Sequence, residues 1–330
     1  MDWGSIIENT FRGLIGEQFI YFALAAIGLN MHFGYTGLLN FGQAVFMAAG
    51  AYGLSMSVAT LGLNFWFGLL LGIVVFPLVL ALLMGIPTLR LRADYLAIVT
   101  IAASEMFRII ARSPSLDRWT GSSDGLTAFA NDFYDLSPFD TGSRYFFGLF
   151  IGNQMWVVLV GWIVLSLVVL LVWSMMRSPW GRVLRAIRED EDAARSLGKN
   201  AYWFKLQALM IGGMFGAIGG LLRAIGTQSA QPQNFITDVT FFAWVALILG
   251  GAAKVGGPVV GAAILYGILN FTDVFLRQLV DNGYISESIM DGTQVGQVRF
   301  MLIGLGLILL AAFRPQGIFG SKEEMALDDR

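Results

Sequence analysis

Residues 178–207, SPWGRVLRAIREDEDAARSLGKNAYWFKLQ, form a charge-dense passage between two long apolar runs. Arg182, Arg185, Arg188 and Arg195 alternate with the acidic block Glu189, Asp190, Glu191 and Asp192. Leu184, Ile187, Ala194 and Leu197 recur at near-helical spacing, which predicts an amphipathic helix punctuated at its ends by Gly181 and Gly198. Asn200 stands where it can cap the next helix, beginning near Tyr202. A short amphipathic helix held between two spans either lies on the lipid surface or docks into a groove of a soluble partner. Anionic headgroups repel four consecutive carboxylates. The passage therefore reads as a docking helix.

The rest of the chain is built for lipid. Of 330 residues, 56% are hydrophobic and 13% are charged, against roughly 25% charged in soluble domains. The 40 glycines suit a bundle in which small residues bring helix backbones together. A net charge of −2 excludes bulk attraction to nucleic acid. With no cysteine there is no disulfide framework and no thiolate chemistry. The opening MDWGSIIENTF lacks a basic run, so insertion is expected to rely on the first span rather than on a cleaved signal.

Spans need about 20 apolar residues. They are read at 19–33, 63–86, 156–176, 202–224, 241–250, 259–275 and 300–313, with weaker ones at 41–59 and 95–110. The expected fold is an all-α integral membrane protein, a polytopic bundle of about nine spans in a single domain, residues 1–330. Residues 177–201 and 112–153 are its two principal loops.

Five blocks, in order, carry a family resemblance: GYTGLLNFGQAVFMAAGAY (34–52), PTLRLRADYLAIVTIAASEMFR (87–108), GRVLRAIREDEDAARSLGKNAYWFKLQALMIGGMFGAIGG (181–220), LGGAAKVGGPVVGAAI (249–264) and FRPQGIFG (313–320). They resemble the permeases of the branched-chain amino acid (LivM-like) family of ABC importers, over nearly the whole chain. The resemblance implies that the docking passage is a cytoplasmic coupling helix seated in a cleft of a separate ATP-hydrolysing subunit. The coupling residues would be Gly181, Leu184, Arg185, Ile187, Arg188, Glu189, Asp190, Ala194 and Gly198, with Leu184 and Ile187 filling the partner's groove. It further implies two ATPase subunits, a sister LivH-like permease, an external solute-binding protein, a bacterial plasma membrane, and no cofactor. The absence of any G-x-x-x-x-G-K-[ST] agrees, because this chain cannot itself cradle nucleotide phosphates in a P-loop. No H-E-x-x-H or zinc-spaced His/Cys cluster is present either.

With 177–201 cytoplasmic, the 90–92 turn, the Lys254 turn and the C-terminal tail fall on the same side. Asp117, Asp124, Asp132, Asp135, Asp140, Asp281, Glu287 and Asp291 collect on the other. Nine full spans put the N-terminus outside; a re-entrant 41–59 reverses that parity. The aromatic-rich 112–153 loop either rests on the interface or docks the binding protein. Within it, Thr120-Gly121-Ser122-Ser123-Asp124-Gly125 stands where relatives show a more glycine-rich T-G-G-x-x-G.

Residues 34–43 carry three glycines and polar side chains at membrane depth, where irregular backbone survives only if it lines a cavity or is buried in protein. Either Thr36, Asn40 and Gln43 face a translocation path, or the stretch is a cytoplasmic turn with Asn40 capping the next span. Thr100 and Ser104, at i and i+4, extend a polar stripe along the same path. Glu105 and Arg108 share a helix face and can pair, as substrate-path groups or as a lock between helices. Gly212, Gly216 and Gly220, with Gly68/Gly72 and Gly257/Gly261, read as packing steps. LGGAAKVGGP around Lys254 reads as a tight turn, and the single His32 as a packed residue. A branched-chain amino acid is the expected substrate. Urea or a short amide is the alternative within the class, an ion-coupled secondary transporter the competing class, and a membrane scaffold the third.

Overall fold

The computed structural model describes residues 2–89, 91, 93–139, 145–146, 149–150, 152–284, 294–313 and 317–319. Arg90, Arg92, Asp140, Glu287 and Asp291, which the sequence assigns to turns and loops, lie outside these residues.

Asp2 opens helix α1 (Trp3–Ile15) by accepting the amide of Ser5 at 3.2 Å, and Gly16 closes it in extended backbone. α1 buries Ile6, exposes Trp3, Ile7 and Phe11, and ties back through the Asp2 amide to Gln278 at 2.9 Å. After Gly16 the chain enters α2 (Glu17–Leu29), which runs into a wide turn, Asn30–Gly34. There the Tyr35 amide reaches back five residues to the Asn30 carbonyl. Such i→i+5 turns widen a helix and mark places where it is about to break.

Next come α3 (Gln43–Ser55), α4 (Phe65–Thr88), α5 (Ala93–Ala111) and α6 (Asn153–Arg177). Two short helices, α7 (Pro179–Glu189) and α8 (Glu191–Ser196), connect α6 to α9 (Ala201–Thr227). The chain ends with α10 (Thr237–Gly250), α11 (Gly257–Asp281) and α12 (Gln294–Phe313). Among the described residues, six stretches are long and apolar enough to cross a membrane: Trp3–Gly34, Phe65–Thr88, Asn153–Arg177, Ala201–Thr227, Pro232–Gly250 and Gly257–Asp281. The helical membrane bundle read from the sequence is the fold, with only two-residue strand pairs added among the described residues.

α3, part of the weak 41–59 stretch, is the most enclosed helix. Every residue from Gln43 to Ser55 is buried. Its glycine- and alanine-rich sequence looks weak as a lipid-facing span because other helices, not lipid, surround it. It packs along α9, and a Cβ on Gly220 would strike the Met47 backbone, as one on Gly50 would strike that of Ala217. Gln43, the first residue of α3, lies against Gly212 and Gly216, in the middle of the 27-residue α9. α3 therefore starts halfway through the bundle. At the periphery, α4, α5, α6 and α12 expose Leu70, Leu83, Ile98, Ile109, Ile163, Leu167, Leu305 and Ile308, as lipid-facing surfaces do.

On the side of the 112–153 loop, β1 (Leu126–Thr127) pairs antiparallel with Ser229–Ala230, just after α9. Phe129 and Phe133 are buried, and the Tyr134 hydroxyl donates to the Ile225 carbonyl at 2.7 Å. Asp117, Asp124, Asp132 and Asp135 stay exposed. Ser122, at the departure from T-G-G-x-x-G, has φ 49°, a left-handed conformation that glycine adopts without cost. Its hydroxyl compensates by donating to the Arg112 carbonyl at 2.8 Å.

Candidate functional site

The break between α2 and α3 is held by side chains from four helices. Asn40 has no exposed surface; its Oδ1 accepts the Gly42 amide at 2.8 Å, which fixes Nδ2 as a donor. That Nδ2 lies 2.9 Å from His32 Nδ1, so Nδ1 is the acceptor and His32 carries its proton on Nε2. Nε2 then donates to the Leu209 carbonyl of α9 at 3.1 Å. Gln43 takes a 3.4 Å hydrogen bond from Asn40 on Oε1 and gives Nε2 to the Ala25 carbonyl at 3.2 Å. The Thr36 hydroxyl closes on the His32 carbonyl. Trp244 Nε1 of α10 donates to the Asn40 carbonyl at 3.0 Å and its ring stacks on Phe41.

The start of α3 is capped from elsewhere. The Phe41 amide donates to Thr100 Oγ1 of α5 at 3.0 Å and the Ala44 amide to Thr240 Oγ1 of α10 at 2.8 Å. Asn40 does not cap α3 as the turn reading expects; it closes a local Asx turn onto Gly42, because two neighbouring helices already supply hydroxyls to the free amides. Asn30 completes the assembly on the α10–α11 turn, giving Nδ2 to the Lys254 carbonyl at 2.9 Å and taking the Ala253 amide at 2.8 Å. The glycine-rich 249–257 stretch turns through Gly251 and Ala253, both at positive φ, 99° and 62°.

Thr36, Asn40, Gln43, Thr100 and Ser104 are all buried, and the first four spend their polar atoms on this chain's own groups. Ser104 Oγ is buried without a partner. Glu105 keeps 32% of its side chain exposed; it pairs with Arg108 at 2.7 Å and accepts the Thr237 hydroxyl at 2.5 Å. The pair thus joins α5 to the start of α10.

Ahead of α9, the charge-dense passage is two helices, not one. At Asp190 the backbone is extended (φ −154°, ψ 105°), and the Asp190 carboxylate caps α8 by accepting the Ala193 amide at 2.9 Å. Ser178 caps α7 and Asn200 caps α9, accepting the Trp203 amide at 3.3 Å. Leu184 and Ile187 are buried against this chain, Leu184 in the main core and Ile187 with Ala194 and Ala201. Gly181 is buried too, since a Cβ there would strike the Met176 backbone. The apolar stripe therefore fastens the passage to its own bundle, and Leu184 and Ile187 are not free to enter a partner's groove. Facing outward are Arg182, Arg185, Ala186, Glu189, Asp190, Asp192, Gly198 and Leu197, the last 80% exposed. Arg185 gives Nη2 to the Met176 carbonyl at 2.6 Å, and Glu191 ion-pairs with Arg195 and Lys205. Arg188 reaches inward, donating from Nη1 to the Gly34 carbonyl at 2.7 Å. One hydrogen bond thus links the passage to the break in α2.

Residues 13–312 match the family described as branched-chain amino acid transport system / permease component. The chain belongs to this family. LivM of Salmonella typhimurium, a high-affinity branched-chain amino acid transport system permease protein, is 30% identical over 96% of this chain and 71% of its own length. A probable LivM of Methanocaldococcus jannaschii is 26% identical, covering 94% of each. LivH of Escherichia coli is also 26% identical, over 94% of this chain and 99% of its own. No solved structure matches. The protein is a permease component of an ABC importer rather than an enzyme, a multi-pass protein of the plasma membrane that works with a sister permease and other subunits.

Asn30, Thr240 and Trp244 are the members of this permease's junction that the sequence leaves unmarked, and His32, read there as a packed residue, is indeed buried but also hydrogen-bonded on both ring nitrogens. Their only signal is a polar side chain inside an apolar run. Nothing in their spacing says that they meet.

Proposed function

We propose that this permease carries branched-chain amino acids, paired with a LivH-like sister permease, two ATPase subunits, one of which receives residues 177–201 in its cleft, and an external solute-binding protein against residues 112–153. The names of the LivM and LivH relatives support the substrate. The outward face of α7–α8 carries the coupling reading: exposed charges surround one bare leucine, Leu197, in a chain with no P-loop of its own. Leu197 and Ala186 enter the ATPase cleft, Arg182, Arg185, Glu189 and Asp192 make its charged rim, and Gly181, Leu184, Ile187 and Ala194 hold the passage rigid from beneath. Closure of the ATPases pushes α7, and Arg188 passes the movement to Gly34 and so to the α2–α3 break. Thr36, Asn40, Gln43 and Thr100 shape the translocation path by holding that break, Ser104 lines the path one turn beyond Thr100 with an unpaired hydroxyl, and Glu105 is exposed enough to meet the solute.

The test is ATP-dependent uptake of labelled leucine and labelled urea by proteoliposomes holding the full complex. Leucine uptake is the expected result. Urea uptake alone would move the substrate and keep the class, and uptake that ignores ATP but follows an ion gradient would overturn the class. In the same assay Leu197→Asp is expected to lower uptake at least tenfold without loss of the inserted permease, because a carboxylate cannot be buried in an apolar cleft unpaired. Normal uptake by Leu197→Asp would remove it from the docking face. Arg188→Met, which deletes a charged hydrogen bond of about 1.5–3 kcal/mol, is expected to leave ATPase binding intact and reduce substrate-stimulated ATP hydrolysis about tenfold. Unchanged stimulation would show that the Gly34 link does not transmit the stroke.

A further inference from the structure

A cavity of about 430 Å³ opens between α2, α9, α10, α11 and α12, lined among others by Phe22, Arg223, Asp238, Phe242, Tyr266 and Arg299. Its size falls within the roughly 300–1,000 Å³ of small-molecule sites. Among the described residues, several buried side-chain nitrogens and oxygens have no hydrogen-bond partner, and only two of these belong to charged groups: Arg223 Nη1 and Arg299 Nε. Both arginines line this one cavity. Buried polar atoms left unpaired are costly and rare, more so when the group is charged. Arg299 pairs with Asp273 at 3.1 Å, but that carboxylate also serves Arg277 at 3.0 Å, so one negative charge is shared between two guanidiniums. Arg223 rests over the rings of Tyr21 and Phe235, 5.3 and 5.9 Å from their centroids. The wall thus holds surplus positive charge beside aromatic surface. Asp238 adds a carboxylate at the first turn of α10.

We propose that this cavity is a solute site for a zwitterion with an apolar side chain: carboxylate on Arg223 and Arg299, ammonium on Asp238, side chain among Phe22, Phe242 and Tyr266. The assignment of leucine as its occupant rests on the branched-chain reading above. The cations alone would suit any oxyanion, including a lipid phosphate; the carboxylate beside them favours a molecule carrying both charges.

The experiment measures binding of labelled leucine to the full membrane complex of permeases and ATPases in nanodiscs, alongside leucine uptake by the same complex in proteoliposomes. Saturable binding is expected, weakened at least tenfold by Arg223→Gln and by Asp238→Asn and largely restored by Arg223→Lys. Leucinol, which lacks the carboxylate, should fail to compete. If Arg223→Gln does not assemble, the exposed Asp238→Asn and the leucinol competition decide. Normal leucine uptake with binding and KM unchanged in the variants overturns the site alone. Release of a bound anionic phospholipid, with no effect on leucine, also overturns it and makes the cavity a lipid seat. No leucine uptake by the unsubstituted complex overturns the substrate reading, and with it this occupant.

Discussion

Gly220→Ala is expected to destabilise the purified complex by about 3 kcal/mol, the upper end of ordinary overpacking costs, while Gly304→Ala leaves it unchanged or slightly firmer. The chemical change is the same at both positions, one methyl group on a helix. At Gly220 that methyl would land on the Met47 carbonyl oxygen, carbon and Cα, and at Gly304 nothing lies within 4 Å. Backbone atoms have no rotamer to retreat into, so α3 and α9 must move apart along their length. Between membrane helices, close packing is a principal source of attraction, and separating the pair forfeits it. At Gly304 the substitution only removes glycine's backbone entropy, worth roughly 0.5–1 kcal/mol in favour of alanine. Thermal unfolding of the two variants in one detergent, followed by tryptophan fluorescence, checks the difference. Equal midpoints would mean that α3 and α9 do not approach as closely as Gly220 and Met47 indicate.

That contact also separates what the sequence displays from what it conceals. The G-x-x-x-G steps of α9 announce that some backbone comes close; which one is a tertiary fact, and for Gly216 and Gly220 it is the helix whose span signal is weak, while Gly212 meets α2. The 178–207 passage teaches the same lesson from the other side. Its period correctly yields an apolar stripe of Leu184, Ile187 and Ala194, but periodicity cannot say what covers the stripe, and here it is the permease itself. Leu197, read as part of that stripe, ends up bare because the chain turns at Asp190 and the second helix starts in a new phase. Capping residues beside their helices, such as Asn200, are legible because the interaction is local. Thr240 caps α3 from nearly 200 residues away, and no local rule reaches it.

Asn40→Leu is the sharpest probe of the junction. Leucine matches asparagine roughly in size, so the change removes hydrogen bonds more than volume. It leaves His32 Nδ1 without its donor and the Gly42 amide without its acceptor, both in a fully buried site. Each orphaned buried group costs about 1–3 kcal/mol, so a loss of about 2–6 kcal/mol is expected, a large share of the 5–15 kcal/mol that holds ordinary domains folded. The variant should melt early and lose most leucine uptake even at temperatures where it stays folded, since the break in α2 is no longer held in one geometry. His32→Leu alone should be nearly as harmful, because it leaves the Asn40 Nδ2 donor with only the long contact to Gln43. Asn40→Leu combined with His32→Leu removes both partners and leaves less unpaired polarity behind. The double variant is therefore expected to be more stable than the sum of the two single losses by about 1–3 kcal/mol, the coupling expected of residues in one network. Strict additivity in that cycle would show that Asn40 and His32 act separately, and that the α2–α3 break is held by packing rather than by its polar side chains.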